Sequence, residues 1–88
     1  MKTEELREHL EKLREEVDRI EREDDPAKMR VNRLISALEY QLENPSDTAH
    51  RERVLRDLPR TVERLEIEHP RLTGILRSIV VTLNQLGI

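Results

Sequence analysis

The stretch Pro70-Arg71-Leu72-Thr73-Gly74-Ile75-Leu76-Arg77-Ser78-Ile79-Val80-Val81-Thr82-Leu83-Asn84-Gln85-Leu86 decides the architecture of this chain. Drawn as a helix, its Leu72, Ile75, Leu76, Ile79, Val80, Leu83 and Leu86 wrap well over half the circumference, and Val81 lies outside even that arc. A helix that is apolar on most sides has to be covered on most sides, by neighbours in the chain or by another copy. The segment therefore predicts a bundle in which its own helix is central. Pro70 suits the first helical position, where a missing N–H forfeits no bond, and Gly87 suits a C-terminal cap.

The upstream segments supply the cover. Leu6, Leu10, Leu13, Val17 and Ile20 recur at spacings of four and three, which makes one apolar stripe along a helix. Thr3 is the expected N-cap, with Glu4 and Glu5 at the positive end of the helix dipole. Glu8 with Lys12, Glu15 with Arg19 and Asp18 with Arg22 are expected as intrahelical pairs, each contributing roughly 0.2–0.5 kcal/mol. The stripe ends at Asp24-Asp25, too early for a free-standing coiled coil. Asp25-Pro26 then signals a second helix start. That helix carries Ala27, Val31, Leu34, Ile35, Leu38 and Leu42 on one side, and Pro45 should stop it near Asn44.

Ser46-Asp47 can cap a third helix, with a stripe of Leu55, Leu58, Val62 and Leu65 pointing on to His69. Pro59 interrupts it, lacking the N–H for the carbonyl of Leu55, at a cost of about 3 kcal/mol in a regular helix. The apolar register passes Pro59 without a phase shift, so the expectation is a kink rather than a break. His69-Pro70 restarts the chain as the fourth helix. The predicted fold is all-α, an antiparallel bundle with helices over 3–23, 26–43, 47–68 and 70–86, forming a single domain over residues 1–88.

Composition bounds the rest. Eighty-eight residues hold one modest core. With Tyr40 as the only aromatic side chain, that core must be built from Leu, Ile and Val. A 40% charged content is compatible with disorder, but 16 basic and 19 acidic residues leave only −3, and the apolar spacing is regular. Residues 1–25 hold 11 acids against 6 bases, while residues 70–88 hold Arg71 and Arg77 and no acid. An acidic first helix and a weakly basic last one should attract each other, within or between chains. The absence of cysteine excludes disulfides, thiolate metal sites and thiol catalysis. Met1-Lys2-Thr3-Glu4-Glu5 has no apolar signal core, and Ile79-Val80-Val81 is the longest apolar run, so a cytoplasmic protein is expected.

The segment His69-Pro70-Arg71-Leu72-Thr73, the aliphatics after it and the close Leu86-Gly87-Ile88 resemble a family of small bacterial proteins catalogued as a domain of unknown function. Glu4-Glu5-Leu6-Arg7, leading an amphipathic helix, is similar as well. The resemblance spans nearly the whole chain and is most distinctive in its last third. It implies a bacterial, stand-alone helical protein, and it implies no activity and no catalytic residues.

Glu66-x-x-His69 and the weaker Asp47-x-x-His50 echo the helix-borne ligands of carboxylate-bridged metal bundles. Such a site also needs inward glutamates from the other helices, and those stripes are purely aliphatic, so no metal or cofactor is expected. Ser36 and Ser78 sit inside helices, where a hydroxyl commonly bonds the preceding turn. Gly74 and Gly87 are too few for a phosphate cradle, and the carboxylates are dispersed among arginines, so no catalytic group assembles. The chain is therefore expected not to be an enzyme.

Two patterns concern binding. Gly74, Ser78, Thr82 and Gln85, at spacings of four, four and three, mark a narrow face of the last helix where another helix can approach. Small apolar cores often need oligomerisation, which favours a homodimer through that face. Arg53, Arg56, Arg60 and Arg64 line up on the third helix as a candidate anion-binding ridge. Against it stand Glu52, Asp57, Glu63 and Glu68 as intrahelical partners, a pI near 5.6 and no interleaved aromatics. The sequence thus points to a non-enzymatic helical interaction or structural protein that self-associates or meets another protein. The alternative is a weak nucleic-acid or anion-binding module.

Overall fold

A computed structural model describes residues 2–86, with side chains described for residues 3–85. It contains four helices: α1 (Lys2–Asp18), α2 (Pro26–Glu43), α3 (Thr48–Leu65) and α4 (Pro70–Leu86). Each is packed against its two neighbours in the cycle α1–α2–α3–α4–α1, and among the described residues the Cα atoms of the diagonal pairs stay more than 8 Å apart. This is an up-down-up-down bundle, as short connections between consecutive helices require. The family of stripes read from the sequence closes on a single aliphatic core.

Residues 70–86 enter the core with the expected Leu76, Ile79 and Leu83, but as one of four helices in the cycle rather than as its central element. Leu72, Leu76, Ile79 and Leu83 are buried between α1 and α3, with Leu76 and Ile79 fully enclosed. Leu6, Leu10, Leu13 and Val17 of α1 face them, and Ala27, Val31, Leu34, Ile35 and Leu38 enter from α2. α2 buries as many of its own side chains as α4 does. Val81 is exposed, as its position outside the apolar arc predicts. Gly87 lies outside the described residues.

Helix starts obey the capping chemistry. The Asp25 carboxylate accepts from the Ala27 N–H at 2.9 Å, and Pro26 takes the first helical position. Asp47 accepts from the His50 N–H at 3.1 Å at the start of α3. α2 ends at Asn44, whose N–H still reaches the Tyr40 carbonyl, one residue before Pro45. Thr3 is not a cap: α1 already begins at Lys2, and Thr3 lies inside its first turn, where the leading N–H groups are free in any helix.

Two helices are shorter than the apolar spacing suggests. α1 stops at Asp18 instead of running to residue 23, and α3 stops at Leu65 instead of running to 68. Past α3 the chain turns acidic at once with Glu66 and Glu68, whereas past α1 Arg19 and Ile20 come first and Glu21, Glu23 and Asp24 follow. Carboxylates at the negative end of a helix dipole oppose continuation. The last turn of α1 tightens instead, with Arg19 and Ile20 donating to Glu16 and Val17. Arg19 consequently pairs with Glu16 rather than Glu15, and Arg22, beyond the helix, with Asp24 rather than Asp18.

α3 runs unbroken through Pro59. Pro59 is exposed, so the Leu55 carbonyl that loses its donor lies toward solvent, where water can replace it. The buried face of α3 is Val54, Leu58, Val62 and Leu65, with Leu55 half-buried. Val54 therefore takes the central place that the spacing assigned to Leu55. A Leu76→Ala substitution should cost about 2–5 kcal/mol, the range for a fully buried leucine. Urea unfolding checks this, and a loss below about 1 kcal/mol would place Leu76 outside the core.

Candidate binding groove

A strongly basic concavity lies between α2 and α3. Leu34, Ala37, Val54 and Thr61 form its floor, and Arg30 and Arg33 of α2 stand on one side. Arg53, Arg60 and Arg64 of α3 stand on the other, with Asp57 as the one acid and His50 at the end. The space enclosed is about 490 Å³. All five arginines are exposed, and among the described residues none is in an ion pair. None of Glu52, Asp57, Glu63 and Glu68 forms the expected ion pair with these arginines among the described residues, and of the four only Asp57 lines the groove.

The placement of these arginines follows from the core. Leu34 and Val54 must point inward, and the residues one position or one turn from them then flank the seam of the two helices. Arg33 precedes Leu34, and Arg53 precedes Val54. Arg56 is exposed but does not line the groove, so three of the four arginines in the sequence ridge belong to it. Arg30 and Arg33 escaped sequence reading because they join the ridge only after α2 folds back on α3. Antiparallel pairing of two helices joined near Pro45 is the signal that would have found them.

The His50 end is held by a polar network. Gln41 is buried to 1% exposure; its Nε2 donates to the Asn44 carbonyl, so its Oε1 is the acceptor for His50 Nδ1 at 2.6 Å. Nδ1 therefore holds the proton, and Nε2 is the ring nitrogen left for other partners. The Tyr40 ring lies 4.4 Å from that of His50, and the Tyr40 hydroxyl donates to Asp47 at 2.7 Å. The Tyr40 hydroxyl, then the His50 backbone N–H, hold the Asp47 carboxyl below its usual range. The same bond raises the Tyr40 phenol. Arg53 also acts electrostatically on Asp47, so the first arginine of the groove sits in this field.

The remaining candidates lie elsewhere. His69 bonds Asp25 at 3.2 Å, joining the α1–α2 and α3–α4 connections at one end of the bundle. Asp25 is held below its usual range first by the Ala27 N–H and further by His69. Glu66 turns the other way, to Arg77 at 2.8 Å. The Glu66–His69 and Asp47–His50 pairs are thus engaged with different partners, and no three potential metal ligands converge among the described residues. On α4, Gly74, Ser78 and Gln85 are exposed, but Thr82 is buried to 3% and donates to the Ser78 carbonyl. The Gly74–Ser78–Thr82–Gln85 strip is therefore not one open face, and Val81 replaces Thr82 in it.

No helix among the described residues is long and apolar enough to cross a membrane. The family model of the domain of unknown function DUF4404 matches residues 6–88. No curated protein and no solved structure matches.

Because Asp47 has a lowered carboxyl pKa in the folded state, its contribution to stability is complete above the unfolded carboxylate pKa. It is lost as pH falls through the lower, folded value. An Asp47→Ala variant should melt below the wild-type protein at neutral pH, with the gap narrowing under acid. Thermal melts across that pH range check this; a gap that is constant with pH would separate the cap from the carboxylate charge.

Proposed function

Because the chain belongs to the DUF4404 family, whose domain is described only as one of unknown function, we propose a function from its own surface. The protein is a non-enzymatic interaction module, and its binding surface is the arginine groove between α2 and α3. The observation behind this reading is the set of five exposed guanidinium groups around one groove with a single acid among them. Such groups bind carboxylate or phosphate oxygens in pairs, with a fixed geometry that lysine lacks. The floor is Leu34, Ala37, Val54 and Thr61, and His50 at one end is the one ring lining the groove, so recognition would rest on anionic charge and its spacing rather than on a run of stacked bases. A cytoplasmic setting accords with the absence of cysteine.

A symmetric dimer through α4 is the second reading. It rests on Val81, 55% exposed beside Gly74 and Ser78, where a Cβ built on Gly74 would meet nothing within 4 Å. Burial of aliphatic surface would make that dimer insensitive to salt.

Inorganic polyphosphate is a suitable probe for the groove. Wild-type protein should bind it with an affinity that falls steeply with salt, as several phosphates release counterions. Arg33→Ala with Arg60→Ala should weaken binding about tenfold or more and flatten the salt slope, whereas Arg56→Ala should leave both nearly unchanged. Equal losses from the Arg56 and groove variants would show diffuse charge attraction rather than a groove.

A further inference from the structure

A row of carboxylates runs along the outward side of α1. Glu4, Glu8, Glu11, Glu15 and Asp18 recur at the four-and-three spacing of the apolar stripe, two positions before each of its members. Two positions at about 100° per residue turn the row about 200° away from the core. All five side chains are exposed, and none is in an ion pair among the described residues. The pairings expected for three of them are missing because Arg19 is on Glu16, Arg22 is on Asp24, and Lys12 does not close on Glu8.

The row and the groove match in length and sign. Residues 4–18 span about 21 Å at 1.5 Å per residue, as do residues 50–64 along the groove wall of α3, within which Arg53 to Arg64 cover about 17 Å. We propose that the occupant of the α2–α3 groove is α1 of a second copy of this chain, its five carboxylates laid along the five arginines. This inference rests on the reading of the groove as a docking site for anions and names the partner. Asp57 falls halfway along the groove and Lys12 beside the middle of the row, so the one acid in the groove meets a cation whichever way the helix runs. A preformed helix presents its carboxylates at fixed intervals and loses little freedom on docking, unlike a flexible polyanion. With a net charge of −3, the chain also repels a long free polyanion outside the groove.

The row faces outward from α1 and the groove outward from the α2–α3 seam, on well-separated sides of the helix cycle, so the contact is heterologous: each copy offers a row to one neighbour and a groove to another. Such contacts build open chains or close into rings.

The experiment is sedimentation equilibrium of the full chain over a dilution series at low and high salt. It compares wild-type protein, Glu8→Lys with Glu15→Lys, Arg33→Glu with Arg60→Glu, and an equimolar mixture of the two double variants. Wild-type mass should rise with concentration at low salt, and association should weaken about tenfold or more at high salt. Each double variant should associate about tenfold more weakly than wild type. The mixture should recover association, because the intact row of the arginine-substituted variant then meets the intact groove of the lysine-substituted one. All four positions are exposed, so helix content and melting temperature should hold; if the lysine variant does not fold, Glu8→Gln with Glu15→Gln replaces it.

A monomeric mass at high micromolar concentration and low salt would overturn the proposal. So would association that is indifferent to salt and to both variants, or a mixture that fails to recover it. Polyphosphate binding lost in Arg33→Glu with Arg60→Glu, alongside a monomeric wild type, would leave the groove as an anion site and overturn only its occupation by a second copy.

Discussion

Everything in this bundle depends on one constraint: an aliphatic core with no aromatic ring must be closed by four narrow stripes. α4 contributes Leu72, Leu76, Ile79 and Leu83, and each remaining helix contributes four or five side chains. Leucine, isoleucine and valine in such numbers supply burial without directional bonds, so the register of each stripe does the work of specifying the fold. Once the stripes face inward, the position of every charge outside is fixed. The arginines next to Leu34 and Val54 must flank the α2–α3 seam, and the acids two positions before the α1 leucines must point away from the core.

The polar contacts then hold the ends. Asp25 and Asp47 cap α2 and α3 and also reach across to other elements, Asp25 to His69 and Asp47 to Tyr40. Each carboxylate thus couples a helix start to a neighbouring segment. Exposed pairs such as Arg14 with Glu39 and Arg77 with Glu66 tie adjacent elements, but pairs of that kind contribute only about 0–1 kcal/mol each. The fold is set by the core, and these bonds set where its helices begin.

Most of this architecture was legible in the sequence because four-and-three spacing and Asp-Pro starts are local signals. α2 keeps the expected bounds, and α4 keeps them within the described residues. The ends of α1 and α3 were overextended because apolar spacing says nothing about acids at a helix's negative end. Gln41 was missed as a buried residue because its polarity outweighed its position, three residues after Leu38 on the inward face. Its burial makes sense only with His50 and Asn44 beside it. The groove was half legible: Arg53, Arg60 and Arg64 follow from one helix, but Arg30 and Arg33 join them only through packing. Likewise, intrahelical pairing rules predicted a neutralised surface, whereas among the described residues neither the row of acids on α1 nor the arginines of the groove form an ion pair.

The central claim is that these five arginines form a single binding surface. Its most direct test follows the arginine side-chain Nε–H resonances by NMR while inorganic polyphosphate is added to the full chain. The account predicts that Arg30, Arg33, Arg53, Arg60 and Arg64 shift together along one saturable curve, while Arg56, Arg71 and Arg77 stay in place. Shifts of similar size at all eight, rising without saturation, would contradict it.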